Sequence, residues 1–172
     1  MQTSIATKRL HLDILTTEDH EFIISLLNTK GWIEFIGDRN IHSKEDAIAY
    51  INKILNSPNI YYWVVRIKNG NIPIGIISFI KRDYLESFDI GFALLPEFGG
   101  NGYAYEAAKE VLTIVSTNPA YTPILATTIP DNVNSIRLLV KLGLHYEKEI
   151  EVGNEKLHVY SNSTQPGKPE VA

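Results

Sequence analysis

The chain contains no cysteine, and it also lacks a basic cluster and any long apolar run. Without cysteine, a disulfide framework, a thiolate zinc site and a cysteine nucleophile are excluded, and no metal centre is predicted. No stretch approaches the roughly 18 apolar residues that cross a bilayer, and segment 1–9 lacks the apolar core of a signal peptide. These absences favour a cytoplasmic protein without a membrane partner.

The charge balance is mildly acidic, with a formal net charge of −4 at pH 7. Nucleic-acid-binding domains need a positive stripe against the phosphates, so no nucleic-acid partner is predicted. A cationic substrate is compatible with this charge, but the charge alone does not select one. The length of 172 residues suits one domain with one core. No segment marks an interface, so a monomer and a homodimer both remain open.

The hydrophobic periodicity switches between helical and strand spacing along the chain, which predicts one domain that contains both helices and strands. The predicted elements are, in order, a strand at 9–15, a helix from Thr16 or Thr17 to Gly31, an irregular segment at 32–40, a helix from Ser43 to the residue before Pro58, strands at 61–67, 74–80 and 87–95, a helix at 103–116, a strand at 124–129, a helix at 132–142, and strands at 144–152 and 156–160. This order predicts an α+β domain over 1–161, with a central, mostly antiparallel mixed sheet of about seven strands and about four flanking helices. Residues 162–172 are predicted to form a loose tail.

The second predicted helix has a well-defined start. Ser43 and Asp46 are spaced as a capping box, with Asp in place of the usual Glu. The buried face of this helix is predicted to comprise Ala47, Ile51, Ile54 and Leu55. In the irregular segment before it, Trp32 and Phe35 are predicted to be core residues.

A glycine-rich loop joins a predicted strand to a predicted helix within 88–107. Gly99, Gly100 and Gly102 allow the backbone to approach a ligand, and the first turn of the helix leaves N–H groups unpaired. Those donors and the helix dipole together favour an anion, so a phosphate or pyrophosphate is the expected ligand. An ordinary glycine turn before a helix is the alternative interpretation.

Two common phosphate-binding loops do not fit this segment. A P-loop requires Gly-Lys-Ser/Thr, whereas Gly102 is followed by Tyr103. A dinucleotide fold requires Gly-x-Gly-x-x-Gly and an acidic residue about 20 positions later. Tyr105 stands where the third glycine belongs, and segment 121–128 contains no acid.

Segment 96–107, PEFGGNGYAYEA, resembles the acetyl-CoA pyrophosphate motif of the GNAT superfamily. It is most similar to the branch of ribosomal-protein N-terminal acetyltransferases (the RimJ/RimL type), where the motif reads Pro-x-Tyr-Trp-Gly-Lys-Gly-Tyr-Ala-Thr-Glu-Ala. A second signature of that branch, Asn-x-x-Ser and then Lys-x-Gly-Phe, is similar to NVNS at 132–135 and KLGL at 141–144. The resemblance spans nearly the whole chain.

This resemblance implies transfer of an acetyl group from acetyl-CoA to an amine, either a protein N-terminus or a small molecule. It implies that the acyl-CoA cleft lies at the glycine loop and that Ser135 lies near the sulfur. The residues that it assigns to acetyl-CoA binding are Phe92, Ala93, Leu94, Gly99, Gly100, Asn101, Gly102, Tyr103, Ala104 and Asn132. For Ser135 and Asn132, capping of a helix N-terminus is the alternative role.

The chain departs from the family pattern at four positions, one of which is Glu97, where many relatives have Gln or Arg. Gly99 stands where an aromatic residue is usual, and Asn101 stands where a basic residue is usual. The loop retains its backbone donors but has lost a cation, so weaker acetyl-CoA affinity is expected. Leu139 occupies the position of a general-acid tyrosine, so that role has no candidate here.

Asp89 is the predicted general base. A lysine-like amine has a pKa of about 10.4 and an α-amine a pKa of about 8, so a base must remove a proton before or during attack. Asp89, Gly91 and Ala93 lie on the same face of their predicted strand, here called the lean face because Gly91 and Ala93 have little or no side chain. Bulky residues occupy the other face. A salt-bridged carboxylate under a helix is the alternative. Glu106 is predicted to be a structural partner, and His145 and His158 are predicted to be packed or exposed strand residues.

Two other functional classes remain open at this point. The first is a non-catalytic acyl-CoA-binding sensor module, because the tyrosine is absent and the glycine loop is altered. The second is a nucleotide-binding regulatory domain.

Overall fold

The computed structural model describes residues 1–164, which form eight strands and five helices. The strands are β1 (Ser4–Ala6), β2 (Leu10–Ile14), β3 (Ile60–Ile67), β4 (Ile72–Lys81), β5 (Phe88–Leu94), β6 (Leu125–Thr128), β7 (His145–Val152) and β8 (Glu155–Ser161). The helices are α1 (His20–Leu27), α2 (Lys30–Phe35), α3 (Lys44–Leu55), α4 (Tyr103–Val115) and α5 (Val133–Lys141). None of the described helices is both long enough and apolar enough to cross a bilayer.

All eight strands belong to one sheet, in the order β1-β2-β3-β4-β5-β6-β8-β7. Every neighbouring pair is antiparallel except β5 and β6, which are parallel. The predicted α+β fold with a mostly antiparallel mixed sheet is therefore confirmed. The additional strand is β1, which pairs with β2 through Ser4 and Asp13. It has only three residues, too few for a period-2 pattern to be recognised.

Helices cover both faces of the sheet. Trp63 and Val64 are consecutive residues of β3, so their side chains point to opposite faces. Trp63 packs in the cluster that contains Val111 of α4, and Val64 packs in the cluster that contains Ile51 of α3. The helices α4 and α5 therefore lie on one face, and α1 to α3 lie on the other.

The segment predicted to be irregular contains the helix α2. Thr29 caps it by accepting a hydrogen bond from the backbone N–H of Trp32, and Trp32 is buried at 5% exposure. Gly31 was interpreted as a helix stop, but it lies inside α2 and does not have the positive φ of a C-terminal glycine cap. The physical signal for α2 is the N-cap at Thr29.

The helix α3 begins as predicted and differs at its end. Ser43 Oγ accepts from the N–H of Asp46 at 3.0 Å, and Asp46 Oδ2 accepts from the N–H of Ser43 at 3.2 Å, which completes the capping box. Leu55 was predicted to be buried, and this prediction is wrong because the residue is 43% exposed. It is the last residue of α3 and lies about 100° around the helix from the buried Ile54.

The strands β5 and β6 separate along their length. On one side, β5 pairs with β4 from Phe88 to Leu94. On the other side, it pairs with β6 only between Asp89 and Leu125. Beyond Asp89, the main-chain groups of β5 that face β6 have no strand partner among the described residues. This separation opens the sheet at the carboxyl end of β5, just before the glycine loop.

Of the predicted tail, residues 165–172 lie outside the described part of the chain. Asn162 is tied to the sheet by two hydrogen bonds with Ile124: its N–H donates to the carbonyl at 3.1 Å, and its Oδ1 accepts from the N–H at 2.8 Å.

Candidate active site

A cleft of about 1060 Å³ lies where β5 and β6 separate. Its walls come from the glycine loop, from α2 and from the first turns of α4 and α5. The cleft brings together eleven of the twelve predicted site residues, which are Asp89, Phe92, Ala93, Leu94, Gly99, Gly100, Gly102, Tyr103, Ala104, Asn132 and Ser135. The exception is Asn101, which does not line it.

The glycine loop leaves the start of α4 uncapped. Gly100 and Gly102 both have a φ of +77°, a conformation that residues with a Cβ rarely adopt. Gly102 is the N-cap residue of α4 and offers no side chain to its first-turn N–H groups. The N-terminus of α4 therefore presents free donors and a positive dipole end at the cleft.

Asn101 stabilises the loop from within. Its Nδ2 donates to the carbonyl of Gly99 at 3.1 Å and, at the longer distance of 3.4 Å, to the carbonyl of Phe98. Its own carbonyl accepts from Arg9 Nη1 at 3.0 Å. The side chain therefore folds back on the loop, so Asn101 does not replace the cation that is missing from this position.

Arg9 connects the sheet to the glycine loop and to α4. Its Nε lies 2.7 Å from Glu106 Oε2, and its guanidinium lies 4.4 Å from the centre of the Tyr103 ring. Glu106 Oε1 also accepts from Thr7 Oγ1 at 2.6 Å and from the Arg9 N–H at 2.8 Å. Partial burial alone would raise the pKa of Glu106, but these hydrogen bonds outweigh it and lower the pKa. Glu106 thus has the structural contacts that the sequence predicted.

Asp89 is buried at 2% exposure, and only one of its two carboxylate oxygens is hydrogen-bonded by the described residues. Its Oδ2 accepts from Arg82 Nε at 3.0 Å and from Thr127 Oγ1 at 3.1 Å. Its Oδ1 is buried and has no hydrogen-bond partner among the described residues. Burial raises the pKa of Asp89, and the nearby Arg82 charge and the hydrogen bonds offset part of that rise. A carboxylate with a raised pKa is a stronger base than free aspartate.

The lean face of β5 borders the cleft. Asp89, Gly91 and Ala93 all line it. A Cβ built on Gly91 would lie 2.6 Å from Ser78 Oγ, so any larger side chain would clash with β4. The bulky residues Ile90 and Phe92 pack in the core on the α4 side. Glycine at 91 therefore allows β5 to pack closely against Ser78 of β4.

The predicted residues at the start of α5 divide the two roles between them. Asn132 Oδ1 accepts from the Ser135 N–H at 3.2 Å and so caps the helix. Ser135 Oγ makes no hydrogen bond within the described residues and lines the cleft. Leu139 also lines it, is fully buried and offers no proton. His145 is exposed, and His158 lies 3.2 Å from Glu149 Oε2, both outside the cleft.

The cleft has a basic lining that is not among the predicted site residues. Arg137 and Lys141 are four residues apart on α5, a spacing that places them on one helix face and that was readable in the sequence. The cleft is lined by five basic side chains, Lys30, Arg39, Arg82, Arg137 and Lys141, and by two acidic ones, Glu34 and Asp89. A chain with a net charge of −4 thus concentrates positive charge at this site.

The family model of the acetyltransferase (GNAT) domain matches residues 9–145, which include the glycine loop, Asp89 and α5. This chain belongs to the GNAT acetyltransferase family. GNAT proteins transfer acetyl groups to amines, so the chain is an N-acetyltransferase.

Similar proteins agree with this assignment. The chain is 28% identical over 155 residues to the uncharacterized N-acetyltransferase YnaD of Bacillus subtilis, covering 88% of this chain and 90% of YnaD. A GNAT-family acetyltransferase from Bacillus anthracis superposes with a TM-score of 0.76 at 26% identity, covering 92% of this chain and 96% of that one. RimL, a ribosomal L7/L12 α-N-protein acetyltransferase solved with coenzyme A, superposes with a TM-score of 0.79 at 14% identity over 92% and 96% of the two chains. The superposition on RimL shows that the two chains share a fold.

Proposed function

We propose that this GNAT protein transfers the acetyl group of acetyl-CoA to a primary amine by direct attack on the thioester, with Asp89 as the proton acceptor. The observation that carries the proposal is the unpartnered Oδ1 of Asp89 in the cleft between β5 and β6. The free edge of β5 and the uncapped start of α4 lie in the same cleft.

The fit of acetyl-CoA to these residues rests on two features. The free first-turn N–H groups of α4 suit a pyrophosphate, and Arg137 and Lys141 add positive charge on the same cleft. The main-chain groups of Phe92 to Leu94, unpaired on their β6 side, suit the amide groups of the pantetheine arm. A main-chain N–H in this stretch polarises the thioester carbonyl. Acetyl-CoA supplies the activated acetyl group.

Asp89 takes the proton that the amine must lose. Asp89 and Phe92 are three residues apart, about 10 Å along an extended strand, so the proton passes through water to Oδ1. Arg82 and Thr127 hold the other carboxylate oxygen, which keeps Oδ1 oriented. A C–N bond forms as the C–S bond breaks, and the products are the acetylated amine and CoA.

The leaving sulfur needs little acid assistance. A thiol has a pKa of about 8.5, so the thiolate is a good leaving group near neutral pH. The Ser135 hydroxyl, which has no other partner among the described residues, donates a hydrogen bond to the sulfur, and solvent then protonates it. The buried Leu139 supplies no proton, in agreement with departure as the thiolate.

The acceptor enters from the α2 side of the cleft, which Trp32 and Phe35 line. RimL acts on a protein α-amino group, and a protein N-terminus or a small amine is the acceptor class proposed for the present chain.

Calorimetric titration with acetyl-CoA, followed by a free-thiol assay over an amine panel, tests the proposal. Binding together with amine-dependent thiol release supports the transferase. Binding without release on any amine supports a non-catalytic acyl-CoA sensor instead. An absence of binding overturns the assignment of the cleft.

A further inference from the structure

The side of the cleft where the amine substrate is proposed to bind contains two arginines, Arg39 and Arg82, and the N–H of Trp32. Arg82 uses Nε to hold Asp89, and its two terminal nitrogens, which lie near the Tyr84 hydroxyl, make no ion pair with the described residues. Arg39 also lines the cleft and makes no ion pair with the described residues. Trp32 is buried, and its Nε1 has no hydrogen-bond partner in the described part of the chain. The unpartnered acceptor in this region is Oδ1 of Asp89.

Two tyrosines lie beside these arginines and remain neutral. Burial raises the pKa of Tyr62 well above its ordinary value, even though the charges of Arg82 and Arg39 act to lower it. Burial also raises the pKa of Tyr50, against the opposing effect of Arg39. Because both phenols keep their protons at physiological pH, they do not cancel the two arginine charges.

The remaining charges of this region come from α2. Lys30 and Glu34 both line the cleft, and their charges offset each other. The charge of Asp89 offsets that of Arg82. Basic side chains (Lys30, Arg39 and Arg82) therefore outnumber acidic ones (Glu34 and Asp89) on this side of the cleft, and Arg39 makes no ion pair with the described residues.

We propose that the acceptor is an α-amino acid or a close analogue, whose amine is connected to Asp89 Oδ1 through water and whose carboxylate is bound by Arg39 and the terminal nitrogens of Arg82. This inference rests on the proposed function of the cleft. Asp89 and Arg82 are in direct contact at 3.0 Å, so a water bound to Asp89 Oδ1 and a carboxylate bound to Arg82 lie side by side, and the amine and the carboxylate must be only a few bonds apart in the substrate. An α-amino acid has this spacing. A guanidinium binds a carboxylate through paired hydrogen bonds, which gives geometric selectivity as well as affinity.

Other amines match these residues less well. A polyamine needs an excess of acidic groups, whereas this end of the cleft carries an excess of basic ones. A protein N-terminus has a peptide carbonyl beside its amine and no adjacent carboxylate, so it leaves Arg39 without a partner. The structure thus favours a small zwitterion over both.

Matched sets of amines test the inference in the purified full-length protein. Each set contains an L-α-amino acid, its amide and the corresponding amine without a carboxyl group, and spermidine and a short peptide complete the panel. Rates are compared for the deprotonated fraction of each amine, because the three amines have different pKa values. We expect one or more amino acids to exceed their amides by about 10- to 100-fold in kcat/KM, the effect of a charge-assisted hydrogen-bond pair. An amide, the peptide or spermidine as the best substrate would overturn the inference.

The variant Arg39→Gln separates carboxylate binding from general damage to the site. We expect kcat/KM for the amino acid to fall about 10-fold more than kcat/KM for its amide, with the loss mainly in KM. Lys53→Gln is the charge-matched control, because Lys53 is an exposed residue of α3 that does not line the cleft. Equal effects of Arg39→Gln on the amino acid and on its amide would contradict carboxylate recognition.

A failure of the proposed function is distinguishable from a failure of this inference. If acetyl-CoA binds but no amine is acetylated, the transferase proposal fails. Calorimetry of the CoA-saturated protein then decides the inference separately. Tighter binding of an amino acid than of its amide, lost in Arg39→Gln, supports it, and equal binding of the two overturns it.

Discussion

Arg9, at the entry to β2, and Glu106, in the first turn of α4, form an ion pair at 2.7 Å although 97 residues separate them. The same arginine donates to the carbonyl of Asn101 in the glycine loop. This pair therefore ties the start of α4 and the loop to the start of β2. It orients the N–H groups proposed to bind the acetyl-CoA pyrophosphate.

Replacing Glu106 by Gln weakens this connection. We expect a loss of about 1–2 kcal/mol in the free energy of unfolding at pH 7, together with a higher KM for acetyl-CoA. Because the folded-state pKa of Glu106 lies below its ordinary value of 4.5, its contribution is present above that pH and is lost as the pH falls through the folded-state pKa. Urea unfolding at a series of pH values measures the effect. Glu110→Gln, one turn later on α4, is the control, and an equal loss in both variants would contradict the assigned contact.

Gly102→Val is expected to weaken acetyl-CoA binding. Valine is strained at a φ of +77°, and its side chain would stand at the start of α4 where the phosphate is proposed to bind. Gly153 also has a positive φ, +62°, but lies in the β7–β8 turn away from the cleft, so Gly153→Val imposes backbone strain without crowding the loop. Calorimetry should show weaker binding in the first variant only. Unchanged affinity in Gly102→Val would rule out the loop as the phosphate site.

Asp89→Asn is expected to lower kcat by about 10²- to 10⁴-fold, with little change in acetyl-CoA affinity. In the parent protein, the rate should rise with pH as Asp89 loses its proton, and this rise should lie above the ordinary aspartate pKa of 3.8. The variant should lack it. Thiol-release rates from pH 5 to 9 provide the measurement, and equal rates for the two proteins would remove Asp89 from the mechanism.

Thr127→Val tests the environment of the same carboxylate without removing it. The Thr127 hydroxyl donates to Asp89 Oδ2 and so stabilises the charged form. Valine has nearly the same shape and cannot donate, so the pKa of Asp89 should rise further and the acidic limb of the rate profile should move to higher pH. Ser161→Ala, at a buried hydroxyl outside the cleft, controls for loss of a buried polar group. A limb that stays in place would mean that Asp89 does not produce it.

Local patterns explain which parts of the fold were predictable. The bulky and lean faces of β5, the glycine turn and the stripe of α4 are each contained within a few residues, and all are observed. The strand β1 and the helix α2 were missed because three and six residues carry too little periodicity. Leu55 was misplaced because the end of a helix depends on what packs against it.

The sequence by itself determined the glycine loop before α4, the acid on the lean face of β5 and the GNAT motifs, because each depends on residues that are neighbours in the chain. Only the tertiary structure decided which charges meet. It brings Arg82 and Thr127 to Asp89, Arg9 to Glu106, and Arg39 into the cleft. It also sets the point at which β5 and β6 separate. These relationships depend on strand register and helix packing between distant segments, which no local pattern encodes.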